Sequence, residues 1–422
     1  MALVLCCPLL GGAQASLRHP PHKAKKHRHQ KRRTPRRLAI RSSNAGDTKR
    51  VCAYSAHSIA TLDDFGALIG RDVGCAMVFN EGSATWSDWE RPWFIHDTLP
   101  DNDWKAWATT PGVQRELVIS QSLIPEAEKQ GDWRRAGAAG NFVDHATALA
   151  RNLVAAGLGD AVIRLAPEMN GDWNPDSIGN SETDFALWRE FWRKTVLAMR
   201  AVPGAGFSFD WCINAHVRPI PLASFYPGDD VVDIVGIDAY DTGVPAGLPR
   251  WQTIFGRTDG LKDVVDFAQL HHKPLSIPEW GVAPTDTMSG GGDDAEYIDG
   301  IASVVRDHPT AYQAYFYKYG FATQLANGPA SLAAYRRHFG DGGDSVMPTT
   351  STPPTSVTEA DPVRLPGPVA VAAPAAPAGS AVTGKQPTKR PRAVHKKAAR
   401  HHRRTHRVHR AKRRRPRRKR AH

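Results

Sequence analysis

Two short segments of this chain set a carboxyl group beside an aromatic ring. The first reads Ile163-Arg164-Leu165-Ala166-Pro167-Glu168-Met169-Asn170-Gly171-Asp172-Trp173. The second reads Leu275-Ser276-Ile277-Pro278-Glu279-Trp280-Gly281. Each opens as a short apolar run of strand character and ends on a Glu with a Trp close behind. Two carboxyl groups facing one cleft can split a glycosidic bond. One, protonated, donates to the leaving oxygen; the other, ionised, attacks the anomeric carbon or activates water. Partial burial and like charge drive their pKa values apart. Tryptophan rings offer flat apolar faces to sugars, and Asn170, Asp238 and Tyr240 could supply hydrogen bonds. The chain has neither CxxC nor HExxH, so neither a metal nor a cofactor is indicated.

Such a pair works only if strands aim both acids at one place. The body of the chain alternates short β-rich runs with helical patterns. Strands are expected near 51–56, 73–79, 116–122, 161–166, 206–211, 231–237, 273–279 and 311–317. Helices are expected at 141–157, 181–200, 260–272 and 293–307. In the first, Phe142, Ala146, Leu149 and Leu153 recur on one face. In the second, Ser181 is a fitting N-cap, and Trp188 and Trp192 share a face for packing. The expected fold is an α/β (β/α)8 TIM barrel with active residues at the C-terminal strand ends. The competing open sheet usually carries a Gly-rich loop after its first strand. Here that position reads SAHSIATLDDF.

Charge divides the chain further. The net +13 hides 13 basic residues and one acid in 18–50, and 19 basic residues and no acid in 385–422. Between them 23 basic residues face 41 acidic ones, a net −18. An acidic body with two basic tails is unlike a nucleic-acid-binding domain, and the arms contain no aromatic residue for base stacking. Specific nucleic-acid recognition is therefore not expected. The arms could hold an anionic cell-wall polymer, or simply stay solvated. Five divisions follow: a signal peptide at 1–15 ending in Ala13-Gln14-Ala15, a basic disordered arm at 16–50, the catalytic barrel at 51–345, a Pro/Ala/Thr-rich linker at 346–384 and a basic disordered tail at 385–422. A disordered upstream extension is the other reading of the first 15 residues. Secretion, with association to the cell wall, is the expected location. No apolar run reaches the roughly 18 residues that span a bilayer. Cys52 and Cys75 fall on neighbouring expected strands, and the sequence leaves their pairing open. Cys212 reads as a buried small hydrophobe.

At these motifs the chain resembles glycoside hydrolase family 26, a family of barrel glycosidases with two catalytic Glu residues at strands four and seven. EMNGDW (168–173) is similar to its acid/base motif and EWG (279–281) to its nucleophile motif. VDIVGIDAY (232–240) resembles its sixth strand and FDWCIN (209–214) its fifth. The resemblance covers roughly 51–340. It implies a retaining endo-hydrolase of β-1,4-linked polysaccharide, β-mannan first and β-glucan or xylan next. It implies Glu168 as acid/base, Glu279 as nucleophile, and Tyr240 hydrogen-bonded to Glu279. Arg164 would line the cleft floor, and Trp173, Trp211 and Trp280 would stack on sugars. Asn170, Asn214 and Asp238 would contact hydroxyls or hold the loops. Two departures stand out. Pro167 takes the place of the family's usual His, and Tyr315-Phe316-Tyr317-Lys318-Tyr319 lacks the Trp that commonly ends strand eight. His216 follows the fifth strand, where a lone loop histidine is usually incidental. A carbohydrate-binding barrel that has lost hydrolysis, anchored by its arms, is the alternative function.

Overall fold

The computed structural model describes residues 51–215, 217–258, 260–285, 289–317 and 325–340. The expected signal peptide, both arms, the linker, His216, Lys318 and Tyr319 lie outside the described residues. Eight parallel strands close in sequence order. They are β1 (Val51–Tyr54), β2 (Cys75–Phe79), β3 (Glu116–Gln121), β4 (Val162–Leu165), β5 (Ser208–Asn214), β6 (Ile234–Asp241), β7 (Leu275–Val282) and β8 (Thr310–Phe316). Pairing of β8 with β1 seals the barrel. Around it lie α1 (Ile59–Ile69), α2 (Trp86–Glu90), α3 (Trp104–Ala108), α4 (Trp133–Ala139), α5 (Val143–Ala155), α6 (Glu182–Arg200), α7 (Arg250–Gly256), α8 (Leu261–Leu270), α9 (Ala295–Asp307) and α10 (Pro329–Phe339). This is the expected (β/α)8 barrel. Among the described residues no helix is long and apolar enough to cross a membrane.

Side chains alternate across each strand, so the barrel wall has two apolar faces. Cys52, Tyr54, Cys75, Met77, Val118, Val162, Ile234, Tyr312, Ala314 and Phe316 form the inner cluster. The larger cluster lies between wall and helices and includes Ile163, Leu165, Phe209, Trp211, Val235 and Ile277. The inner face also holds polar groups. Asp210 on β5 accepts from Ser276 Oγ at 2.8 Å and from the Tyr312 hydroxyl at 2.5 Å. Burial pushes the Asp210 carboxyl up to about 6. Gly236 makes room for this group, since a Cβ there would come within 2.8 Å of Asp210 Oδ1.

The helix that follows β4 shows how sequence places the site. Ser181 caps α6 by accepting from the Asp184 N–H at 3.1 Å, and Glu182 and Asp184 face the positive helix end. Trp188 and Trp192 are both fully buried. Their indole N–H groups donate to the carbonyls of Asp176 (2.8 Å) and Leu165 (3.1 Å). The outer helix is thus pinned to both ends of the segment that carries Glu168.

Strands β5, β6 and β7 end at Asn214, Asp241 and Val282, three or four residues beyond their expected ends at 211, 237 and 279. An apolar run marks where a strand is buried in apolar surroundings. Here β6 continues under Asp238, Tyr240 and Asp241, each held by a side-chain partner, and β5 ends on the polar Asn214, whereas the residues added to β7, Trp280 to Val282, carry no charge.

Cys52 and Cys75 are register partners on β1 and β2 and form a disulfide, while Cys212 is free and buried. The cross-link closes a loop over a sequence separation of 23 residues. Constraint of the unfolded chain at that length is worth about 3 kcal/mol. Cys52→Ala/Cys75→Ala should therefore lower the urea midpoint at unchanged secondary structure. An unchanged midpoint in circular dichroism melts would show that the bond contributes nothing to stability.

Candidate active site

The site is built from the floor upward. Alternation on β4 turns Val162 and Arg164 into the barrel. Arg164 is fully buried, a placement that demands partners. It donates to Glu279 Oε1 at 2.6 Å, to Ser120 Oγ at 2.9 Å and to Asp238 Oδ2. Burial works against the guanidinium charge, but the Asp238 and Glu279 carboxylates outweigh it and hold the Arg164 pKa well above its ordinary value. Asp238 Oδ1 also accepts from the Cys212 thiol at 3.4 Å. Glu279 Oε2 accepts from the Tyr240 hydroxyl at 2.9 Å. Both Glu279 oxygens therefore face donors, an arrangement that suits an ionised carboxylate.

Glu168 stands opposite on the turn after β4. Ala166 (φ 53°) and Glu168 (φ 52°) both adopt the left-handed region, which costs energy for residues with a Cβ. The turn is held by Ala166 N–H donating to Gln121 O (2.7 Å) and Glu168 N–H to Cys212 O (3.0 Å). Asn214 Nδ2 donates to Glu168 Oε1, and Trp173 Nε1 to Glu168 Oε2 at 2.9 Å. Burial raises the Glu168 pKa above the usual carboxylate range, and the Glu279 charge adds to it. Arg164, Asn214 and Trp173 oppose the rise. One carboxylate oxygen from each of Glu168, Asp238 and Glu279 lies within 4.8 Å of the others. Trp173 is 48% exposed, and its ring lies against Gly171, where a Cβ would sit 2.6 Å from it.

The Trp173 contact yields a test. Phe at 173 keeps a flat face but loses the N–H. With that donor gone, Glu168 should titrate higher, and the alkaline limb of any activity that needs its proton should move to higher pH. A pH–rate profile of Trp173→Phe reads this directly; a limb that moves down contradicts the contact's role.

Several expected roles are corrected. Trp211 is fully buried and points outward from β5, packed on Phe225, Tyr226 and Phe267. Trp280 is fully buried too, stacked on Tyr335 with its N–H on Gln313 Oε1 at 2.6 Å. Neither reaches the cleft, because each is one residue from an inward neighbour, Asp210 or Cys212 for the first and Glu279 for the second. Asp238 is 1% exposed and holds Arg164 rather than facing hydroxyls. Arg164, by contrast, lies in the floor as expected, where it holds Glu279 and Asp238. Asn170, 2% exposed, exchanges hydrogen bonds with the Asn214 backbone at 2.8 Å and so holds two loops together, one of the two roles expected for it. Tyr315 and Tyr317 pack outward on Phe65, while Phe316 faces inward, stacked on Tyr54. Glu168, Glu279, Tyr240, Asn214 and Trp173 do come together. One acid was missed altogether: Glu81, just past β2. It lies in the turn just past the inward row Cys75, Met77 and Phe79.

Part of the sequence matches a known protein family. Residues 138–257 match Glycosyl hydrolase family 26, a span that holds Arg164, Glu168, Asn214, Asp238 and Tyr240. Endoglucanase H of Acetivibrio thermocellus is 29% identical over 227 residues, covering 48% of this chain. The match spans 23% of that protein's length. Among solved structures, GH26C from Muricauda sp. MAR_2010_75 is similar with a TM-score of 0.51 and 17% identity, over 70% of this chain and 86% of that one. At such identity the likeness concerns the fold alone. The Bacillus subtilis mannanase man26 gives a TM-score of 0.48 and 17% identity, over 73% of this chain and 92% of that one. With a closed (β/α)8 barrel around a paired-carboxylate site and this sequence match, the chain carries a glycoside hydrolase family 26 domain.

Proposed function

We propose that this domain is a retaining endo-hydrolase of β-1,4-linked polysaccharide, with β-mannan the first candidate and β-glucan the second. The observation that carries the reading is the spacing of the two acids. Retaining glycosidases hold their carboxyl groups about 5–5.5 Å apart, whereas inverting ones need about 6.5–9.5 Å to admit a water. The oxygens of Glu168 and Glu279, within 4.8 Å, fit the shorter class.

The roles follow from the surroundings. Glu168, whose pKa is raised by burial, donates its proton to the leaving oxygen. Glu279, held by Arg164 and Tyr240, attacks the anomeric carbon and becomes an ester. Its charge then disappears, and with it one cause that raised the Glu168 pKa. Glu168, now deprotonated, takes a proton from water, which cleaves the ester and restores both groups. Asn214 and Trp173 keep the Glu168 oxygens on station, and the exposed Trp173 ring offers a sugar platform. The ordinary relative named an endoglucanase keeps β-glucan in play. Pro167 lacks the N–H and side-chain donors that a His would offer to a sugar.

The buried disulfide supports an oxidising compartment for the body. The basic arms are proposed as contacts to anionic wall polymer, outside the barrel's chemistry. The deciding experiment is hydrolysis of mannan, mixed-linkage glucan, cellulose and xylan, with product lengths and the anomeric configuration of the first product read by NMR. Mid-chain cleavage with retained configuration is expected. Inversion would overturn the mechanism, and inactivity on every polymer would overturn the function.

A further inference from the structure

Besides Glu168, Glu279 and Asp238, a fourth acid, Glu81, interacts electrostatically with the paired carboxylates, and the mechanism above leaves it without a task. Its position is set by the strand below it. Cys75 and Met77 line the inner cluster of the barrel, and Phe79 packs against it. Glu81 follows in the turn just past this row, where the charges that act on it are those of the site, Arg164, Glu279 and Glu168 among them. The backbone there is fixed from both sides. Asn80 N–H extends the strand pairing to Ser120 O at 2.8 Å, and the Asn80 amide bonds Trp89 O (3.1 Å) and Gln121 Oε1 (2.9 Å). The loop beyond is pinned by Glu126 N–H on Ser83 O at 2.9 Å. Glu81 Oε1 is sealed from solvent, yet it has no hydrogen-bond partner. Glu81 feels the charges of Arg164, Glu279, Asp176 and Glu168. A buried polar oxygen without a partner is costly unless a ligand supplies one.

We propose that Glu81 binds substrate, hydrogen-bonding a hydroxyl of the sugar ring seated over Glu279. The inference rests on the proposed glycosidase reading of the same cleft. Burial, together with the neighbouring carboxylates, pushes the Glu81 carboxyl well above the usual range, against the pull of Arg164. The protonated form, which that shift favours, both donates and accepts, so it can pair with a hydroxyl in either sense. It also adds no charge to a cleft where Glu279 must already be ionised beside Glu168. A glutamine would keep the same pair of functions.

Glu81→Ala is expected to lower kcat/KM about tenfold on the polysaccharide that the native enzyme cleaves, the effect of losing one hydrogen bond to substrate. Most of the loss should lie in KM. Glu81→Gln should stay within about threefold of the native enzyme, since its amide preserves a donor and an acceptor. Calorimetric binding of β-1,4-mannohexaose and cellohexaose to Glu279→Gln, with and without Glu81→Ala, reads the contact without turnover. The double variant should bind the preferred oligosaccharide about tenfold more weakly. Equal binding overturns the inference, whatever the enzyme's activity. So does equal impairment of the Ala and Gln variants with a lowered Tm, which marks a structural role. A native enzyme that cleaves no polysaccharide overturns the function instead, and the binding comparison still decides on Glu81.

Discussion

Glu279→Gln is expected to abolish turnover of polysaccharide, with kcat falling on the order of 10⁴-fold or more. The amide keeps the volume of the side chain but cannot form the glycosyl ester. The expectation rests on where the two Glu279 oxygens lie. One meets Arg164 at 2.6 Å and the other Tyr240 at 2.9 Å, so the group is aimed by two buried donors. The glutamine variant is preferable to alanine, because its amide oxygen still accepts from a buried donor and no cavity is left. Arg164 would keep Asp238 as its counter-charge in either case. The variant has a second readout. Without the Glu279 charge, one cause that holds Glu168 protonated is gone, and the Glu168 pKa should fall towards the ordinary carboxylate value. Carbon-13 NMR of labelled Glu follows that titration. Native-like hydrolysis by Glu279→Gln would falsify the nucleophile assignment.

Glu168→Ala should behave differently. Loss of a general acid costs about 10²–10⁴-fold on substrates with poor leaving groups such as sugars. Aryl glycosides with activated leaving groups need no proton, so their first step should survive. The second step then lacks its base, and the glycosyl-enzyme should accumulate as a burst. Azide needs no deprotonation, so adding it should restore turnover and yield a glycosyl azide of retained configuration. Absence of both the burst and the rescue would remove Glu168 from this role. The raised Glu168 pKa also gives the native enzyme a usable acid above the ordinary carboxylate range, with activity lost as pH climbs through that value. The sign follows from the role: the donor must carry its proton, so deprotonation at higher pH removes activity.

Much of the barrel was readable from local pattern. Eight β-rich runs separated by helical faces predict eight strands, and Ser181 marks the start of α6 as the structure has it. The two Glu residues stood out because each ends an apolar run. The tryptophans misled for a physical reason. Trp211 and Trp280 are adjacent in sequence to site residues, and adjacency on a strand means opposite faces. Trp173 differs because it lies on a loop, where that rule does not apply. Glu81 was overlooked because it belongs to none of the motifs that carry the family resemblance, and it lies in a turn just past the end of β2.

The sequence alone determined the alternation of strands and helices, the acidic body between basic arms, and the two acids at strand ends. These are properties of spacing and composition, which hydrophobic burial and charge read directly. Only the tertiary structure decided that Glu168 and Glu279 bring oxygens within 4.8 Å of each other. It alone paired Cys52 with Cys75 and sent Asp238 to Arg164 instead of to solvent. Closure of the sheet joins residues more than a hundred positions apart, as Arg164 and Glu279 are. Their distances follow from strand register around the barrel, and no local pattern encodes that register.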